Sequence, residues 1–188
     1  MAVALFPRLS AVVRTASRLL LACGALSATA AYAQILPFAR DEVQKPWVEA
    51  EIKLPPYPRP ENLIQFEPGV KSANRFYIDA GSISIGSDDV VRYTLVVRSS
   101  GGAENVSYEG MRCKTHEQRY YAYGRPDRSW SNLRPSEWRR IENRGPNGQH
   151  RMLYWGYFCP GEIYPINSPK EAINRLRNGD PYPYYTSE

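Results

Sequence analysis

The chain has 188 residues, 43% of them hydrophobic and 23% charged, with a formal net charge of +5. The chain has only two histidines, so a site with three histidine ligands is excluded. The sequence has no glycine-rich phosphate loop, and neither Ser82 nor Ser84 has the flanking glycines of a nucleophile elbow. The sequence therefore gives no motif for a phosphate-loop nucleotide site or for the nucleophile elbow of a serine hydrolase.

The N-terminal segment has the pattern of a secretory signal. Residues 1–18 contain three arginines and no acidic residue, and residues 19–33 are uncharged and rich in Leu and Ala. The segment ends with small residues at Ala31 and Ala33, ahead of Gln34, as a signal peptidase requires. The apolar run is shorter than the roughly 20 residues of a membrane span. We therefore predict a signal peptide over 1–33 cleaved between Ala33 and Gln34, a periplasmic location and no transmembrane span after cleavage.

Cleavage changes the charge of the protein. It removes three arginines and no acidic residue, which leaves 21 basic and 19 acidic residues. The net charge falls to +2, so the basic composition gives no reason to expect nucleic-acid binding.

Residues 34–74 show little periodicity and are predicted to form an extended N-terminal arm. Four closely spaced prolines fix the backbone in a polyproline-like conformation: Pro55, Pro56, Pro58 and Pro60. Such a segment can be a ligand for an aromatic groove, but we favour a stiff arm that lies over its own domain. The residues expected to anchor it are Trp47, Ile52, Leu54 and Phe66.

Most of the following chain is typical of β-strands. The clearest strand is 90–98, which is rich in β-branched and aromatic residues and alternates in polarity. Turn residues separate it from its neighbours. The other predicted strands are 75–79, 81–86, 106–115, 117–124 and 150–159.

Two helices are predicted, a short one over 134–143 and a better marked one over 168–179. The second has Ser168 as N-cap, Pro169 in its first turn and Gly179 after its end. The residues after Gly179 are expected to be extended. The fold predicted for residues 75–188 is a single α+β domain with a mainly antiparallel sheet of about five strands and one or two short helices. The alternative is a small closed β-barrel.

The cysteines favour a disulfide. Cys23 is removed with the signal peptide, which leaves Cys113 and Cys159 in an oxidising compartment. The predicted strand of Cys159 would then lie beside that of Cys113. A zinc site built from both cysteines and both histidines is numerically possible, and Cys113 with His116 is a conceivable nucleophile and base. Both are weaker, since the spacing fits neither a zinc ribbon nor a pair on one face of a strand.

Residues 125–151 form the most distinctive surface candidate. Seven arginines and three acidic residues surround two tryptophans in this segment. Arginine forks beside aromatic faces suit phosphate, carboxylate or sugar–phosphate polymers. The alternative is a solvated basic loop whose tryptophans anchor the core. The candidate binding residues are Arg125, Arg128, Trp130, Trp138, Arg139 and Arg140.

The run "VVRYTLVVRSSGGAENVSYEGMRCKTHEQRYYAYG" resembles the cryptic neisserial protein-like (CNP-like) family of exported proteobacterial proteins. The segment "WVEAEIKLPPYP" and the later Trp130, Trp138 and Ile141 match as well, so the resemblance covers about 47–160. It implies a location in a Gram-negative envelope and no particular activity. One difference is that "GRPDRSW" lacks the Asp-Gly turn expected before the tryptophan.

These observations favour a non-enzymatic envelope protein without cofactor or metal, which binds an anionic envelope polymer or an envelope protein. The alternative is a periplasmic hydrolase of cell-wall or sugar substrates, with Glu109, Glu117 or His116 as acid–base residues. Two of these side chains about 5–10 Å apart in a cleft would favour the hydrolase. An exposed shelf of Trp130, Trp138 and Arg139 would favour binding. In a third interpretation, residues 125–151 attach to an anionic lipid surface.

Overall fold

The computed structural model describes residues 46–69, 71–142 and 148–179. The chain divides into two units, 1–44 and 45–188. The predicted signal peptide, its cleavage site and the predicted extended tail all lie outside the described residues.

The domain is built on an antiparallel sheet of seven strands. They are β1 (Leu63–Phe66), β2 (Arg75–Asp79), β3 (Ser84–Ile85), β4 (Val90–Arg98), β5 (Glu104–Arg112), β6 (Glu117–Tyr123) and β7 (Arg139–Arg140). Their spatial order is β1-β2-β4-β5-β6-β7, with β3 paired to the start of β4 beside β2. The sheet is open, so the barrel alternative is wrong. The α+β class with a mainly antiparallel sheet is confirmed.

Strand β4 is the centre of the sheet because its sequence is β-branched and aromatic almost throughout. All nine of its residues pair with β5. Residues 90–96 are buried on both faces of the sheet, not on one face only. Both faces of β4 must therefore be covered by other parts of the chain.

Helices cover one face. Helix α1 (Gly148–Met152) continues as a π-helical segment (Leu153–Phe158), and helix α2 (Pro169–Asn178) follows. One 3₁₀ turn, Pro60–Asn62, precedes β1, and another, Ala80–Ser82, lies between β2 and β3. The main core forms between this layer and the sheet. Its members include Phe66, Ile78, Tyr93, Met111, Tyr157, Phe158 and Leu176.

The predicted strand 150–159 is wrong, because this segment is helical. Its aromatic residues favoured a strand, but Leu153, Tyr154, Tyr157 and Phe158 recur at the spacing of one helix face. All four are buried. Packing of that face against the sheet outweighs the intrinsic β preference of the residues.

The predicted helix 134–143 is also wrong. Residues 134–142 form no helix, and they cover the free edge of β6 before pairing with it as β7. Ser136 accepts a hydrogen bond from the Tyr120 amide through its hydroxyl and donates its own amide to the Tyr120 carbonyl. The edge of β6 supplies partners that a helix here would leave unsatisfied.

Helix α2 agrees with its sequence signals. The Ser168 hydroxyl accepts a hydrogen bond from the Glu171 amide, as expected of an N-cap. Gly179 ends the helix in the left-handed conformation, with φ of 60°. Ala172 and Leu176 are buried against the core.

The disulfide Cys113–Cys159 is present, with a Cα–Cα distance of 5.5 Å. Cys113 follows the end of β5, and Cys159 follows the π-helical segment rather than a neighbouring strand. The bond therefore joins the helical layer to the sheet. With both sulfurs bonded to each other, Cys113 is neither a nucleophile nor a metal ligand.

Residues 46–58 cover the second face of the sheet and are called the arm below. The Ala50 amide donates to Asp88 Oδ2 at 2.8 Å, and Trp47 Nε1 donates to the Asp88 carbonyl at 2.9 Å. Glu49 pairs with Arg119 at 2.5 Å and accepts a hydrogen bond from the Tyr121 hydroxyl at 2.7 Å. The arm is thus held by charges and hydrogen bonds.

Two expectations for residues 34–74 are corrected. The later part of this range forms the 3₁₀ turn Pro60–Asn62 and strand β1, so the irregular arm is shorter than predicted. Phe66 belongs to the main core, and Leu54 is 37% exposed, so neither anchors the arm. Trp47 makes the contact expected of an anchor, and Ile52 packs against the small cluster of Tyr108, Tyr121 and Ala122.

Candidate functional site

The structure does not bring the six predicted surface residues together. Three of them hold the arm. Trp130 Nε1 donates to the Pro55 carbonyl at 2.8 Å, and Arg128 donates to the Pro58 carbonyl at 3.1 Å. Arg125 donates to the carbonyl of Trp130 at 2.7 Å and so braces the same contact.

Trp138 is also half-buried beside the arm. Its ring meets that of Trp47 edge-on at 6.1 Å, and the guanidinium groups of Arg112 and Arg119 lie over it at 5.4 and 5.1 Å. The stacked cations and rings stabilise the docked arm. Trp130 and Trp138 therefore do not form an exposed shelf with Arg139.

Arg139 and Arg140 remain available for binding. Both are exposed on β7 and line a cleft of about 720 Å³, called the β7 cleft. Gln118, Tyr120 and His150 form its floor. Gln118 and His150 are only 9% and 2% exposed. The β7 cleft thus has a cationic rim above a polar, largely buried floor.

Glu109 anchors His150 from behind. His150 Nε2 lies 2.8 Å from Glu109 Oε2. The Glu109 carboxylate also accepts hydrogen bonds from the Tyr93 hydroxyl at 3.0 Å and the Ser107 hydroxyl at 2.5 Å. These three hydrogen bonds satisfy the Glu109 side chain, which has no solvent exposure. The one with His150 also fixes the orientation of the imidazole.

Two tyrosines form an aromatic wall beside the rim. The rings of Tyr120 and Tyr123 are stacked at 5.5 Å, and Tyr123 is 54% exposed. Burial and the nearby Glu109 carboxylate raise the pKa of Tyr120 well above its ordinary value. Tyr120 therefore stays a neutral hydroxyl at physiological pH, able to donate and accept hydrogen bonds.

His116 lies in a different place from the β7 cleft. It has a left-handed backbone, φ 58°, in the turn after Cys113, and its ring stacks on Tyr154 at 4.0 Å. Burial, and then the charge of Arg140, lower the pKa of His116. The ring also meets that of Trp155 edge-on at 5.2 Å, so two aromatic rings flank His116.

The acidic candidates for hydrolysis are separated. Glu109 points to the helix-covered face, where it meets Tyr93 and His150. Glu117 pairs with Arg112, whose guanidinium lies over Trp47 on the arm-covered face. Because the two carboxylates are on opposite faces of the sheet, they do not share a cleft.

The sequence prediction missed the cleft floor. His150 was assigned to a strand, where a lone histidine is usually a surface residue. The helix periodicity of Leu153, Tyr154, Tyr157 and Phe158 was the signal that places His150 in a helix packed on the sheet. The pairing of His150 with Glu109, 41 residues away, has no local signal.

Within the described residues, no group of three or more His, Cys, Asp or Glu side chains could hold a metal ion. In the same part of the chain, no helix is long and apolar enough to cross a membrane.

Residues 42–177 match the CNP1-like family, so this chain belongs to that family. The matched range includes the arm, the whole sheet and almost all of α2. Searches of curated proteins and of solved structures returned no significant match.

Proposed function

We propose that this protein is an exported envelope domain that binds an anionic envelope polymer at the β7 cleft. The main support for the proposal is that the predicted surface arginines fall into two pairs with different contacts. All four are exposed, but Arg125 and Arg128 hydrogen-bond to backbone carbonyls, whereas Arg139 and Arg140 line a polar cleft. Guanidinium groups beside such a cleft suit phosphate or carboxylate groups.

The arginine charge at the cleft is only partly offset. Glu142 also lines the cleft, and Glu109 beneath its floor is satisfied by His150, Tyr93 and Ser107. An anionic polymer with repeated charges gains from two adjacent arginines, and its attraction weakens as salt screens the charges.

The test compares two double variants that remove the same charge. Arg139→Ala with Arg140→Ala should reduce retention of the purified protein on isolated envelope fractions, most strongly at low salt. Arg134→Ala with Arg177→Ala is the control, because both side chains are exposed and lie away from the cleft. Unchanged retention in the first variant, or an equal loss in both, would remove the β7 cleft as the binding site.

Export is the second part of the proposal and rests on the N-terminal pattern of residues 1–33. The protein recovered from its host should begin at Gln34, and two thiols should appear only after reduction. Intact mass with and without thiol blocking measures both. A full-length mass with free thiols would contradict export.

A further inference from the structure

The β7 cleft presents two kinds of hydrogen-bonding group at two depths. The exposed rim carries Arg139 and Arg140, which can only donate. The floor carries groups that accept. Gln118 Oε1 is buried there and has no hydrogen-bond partner in the described part of the chain. A buried acceptor without a partner costs about 1–3 kcal/mol, and a hydroxyl donor would relieve that cost.

His150 adds a second hydrogen-bonding group. Its Nε2 is taken up by Glu109 Oε2 at 2.8 Å, beside the Tyr93 and Ser107 hydroxyls that donate to the same carboxyl group. The other ring nitrogen, Nδ1, is the one left to hydrogen-bond with a ligand hydroxyl, which can donate or accept. Nδ1 forms no hydrogen bond with any residue of the described ranges, and His150 lines the cleft.

Tyr120 and Tyr123 give this cleft an apolar surface next to its donors and acceptors. Their rings are stacked, and that of Tyr123 is more than half exposed. Tyr120 reaches the floor. Burial raises the pKa of Tyr123, and Arg139 lies close enough to oppose that rise. A tyrosine face beside hydrogen-bonding groups suits a compact ring with both apolar and hydroxyl-bearing surfaces.

We propose that the β7 cleft binds an acidic sugar, whose hydroxyls hydrogen-bond to Gln118, His150 and the Tyr120 hydroxyl while its phosphate or carboxylate lies against Arg139, the β7 residue paired with Gln118. The ring packs beside Tyr120 and Tyr123. This proposal rests on the proposed function and narrows its ligand to sugars carrying an acidic group. An anion without a sugar ring would interact only with the arginine rim. A neutral sugar would hydrogen-bond only with the floor.

The experiment is calorimetric titration of the purified protein with four probes: inorganic phosphate, glucose, glucose 6-phosphate and glucuronate. At least one of the two acidic sugars should bind about tenfold more tightly than phosphate and than glucose, since one or two added hydrogen bonds are worth roughly that factor. Comparing glucose 6-phosphate with glucuronate shows whether the acidic group is a phosphate or a carboxylate.

Two conservative variants separate floor from rim. Gln118→Met removes the buried acceptor at similar size, and Tyr120→Phe removes the hydroxyl and keeps the ring. Each should weaken binding of the acidic sugar about three- to tenfold and leave phosphate unchanged. Arg139→Ala should weaken both ligands. Far-UV circular dichroism and thermal unfolding check that each variant folds.

Three outcomes overturn this inference. The first is that the affinities for phosphate and both acidic sugars lie within twofold of each other. The second is that Gln118→Met and Tyr120→Phe reduce the affinities for phosphate and for the acidic sugar equally. The third is that neither acidic sugar binds. If arginine-dependent envelope retention persists in any of these cases, only the sugar assignment fails. If that retention is absent as well, the proposed function fails with it.

Discussion

His150 Nε2 lies 2.8 Å from Glu109 Oε2, and this contact joins helix α1 to the middle of strand β5. Both side chains are essentially inaccessible to solvent. Glu109 also accepts hydrogen bonds from Tyr93 on β4 and Ser107 on β5, so four side chains from three elements form one polar cluster. Since the cluster lies directly beneath the β7 cleft, it connects stability to the proposed binding site.

The Glu109–His150 contact predicts strong coupling between the two residues. His150→Gln or Glu109→Gln alone leaves the other group buried without its partner, at an expected cost of about 3–5 kcal/mol. The double variant should cost clearly less than the sum of the two, because neither group is left unmatched. Urea unfolding measures each free energy.

Arg98→Gln provides a control at the surface for this comparison of single and double variants. Arg98 and Glu104 form an ion pair with side chains 39% and 41% exposed. Its loss should cost no more than about 1 kcal/mol. Additive costs for Glu109→Gln and His150→Gln would contradict coupling through the buried contact.

The arm predicts a local effect on amide exchange. Glu49→Ala removes the contacts with Arg119 and Tyr121 that hold the arm to the sheet. The Ala50 amide, which donates to Asp88, should then exchange with solvent faster while β4 amides keep their protection. Hydrogen exchange followed by NMR measures both.

Glu51→Ala is the matched control for the arm. Glu51 is two residues away and exposed. The substitution should leave exchange at Ala50 unchanged. Equal acceleration by Glu49→Ala and Glu51→Ala would show that Glu49 does not fix the arm.

The sequence predicted those elements in which the conformational preference of the residues agrees with the structure they adopt in the folded domain. Strand 90–98 and helix 168–179 are of this kind: one is rich in β-branched residues, and the other has caps at both ends. The segments 134–143 and 150–159 were assigned wrongly because packing overrode preference. In 150–159, aromatic residues form a helix face on the sheet, and 134–143 completes the edge of β6.

The candidate site was predictable only in part. Arg139 and Arg140 stood out as charged residues, but the same criterion selected Arg125 and Arg128, which hold the arm. Only the fold distinguishes the two pairs. The floor depends on the register of β6 and on a contact across 41 residues, neither of which any local pattern contains.

The disulfide predicts a large loss of stability on reduction. Cys113–Cys159 closes a loop with a sequence separation of 46, and the chain-entropy model gives a stabilisation of about 4 kcal/mol. Cys113→Ala with Cys159→Ala should therefore shift the urea midpoint strongly downward, as should reduction of the native protein. If the free energy of unfolding falls by less than about 1 kcal/mol in both cases, other contacts join the helical layer to the sheet.

His116 predicts a pH effect that depends on one arginine. Burial and then the charge of Arg140 hold the pKa of His116 below the ordinary 6.5. Arg140→Gln should raise this pKa, which should still remain below 6.5 because burial persists. NMR titration of the ring protons measures the change. Arg139→Gln is the control and should leave the His116 pKa unaltered.

The lowered pKa of His116 also fixes the sign of a stability change. The folded state binds fewer protons than the unfolded state once the pH falls below about 6.5, so His116 makes the free energy of unfolding decrease on acidification. His116→Phe keeps an aromatic ring against Tyr154 and removes this contribution. Urea unfolding between pH 7 and pH 5 should therefore show a shallower loss of stability in the variant. An identical slope in both proteins would mean that His116 keeps its unfolded-state pKa in the folded domain.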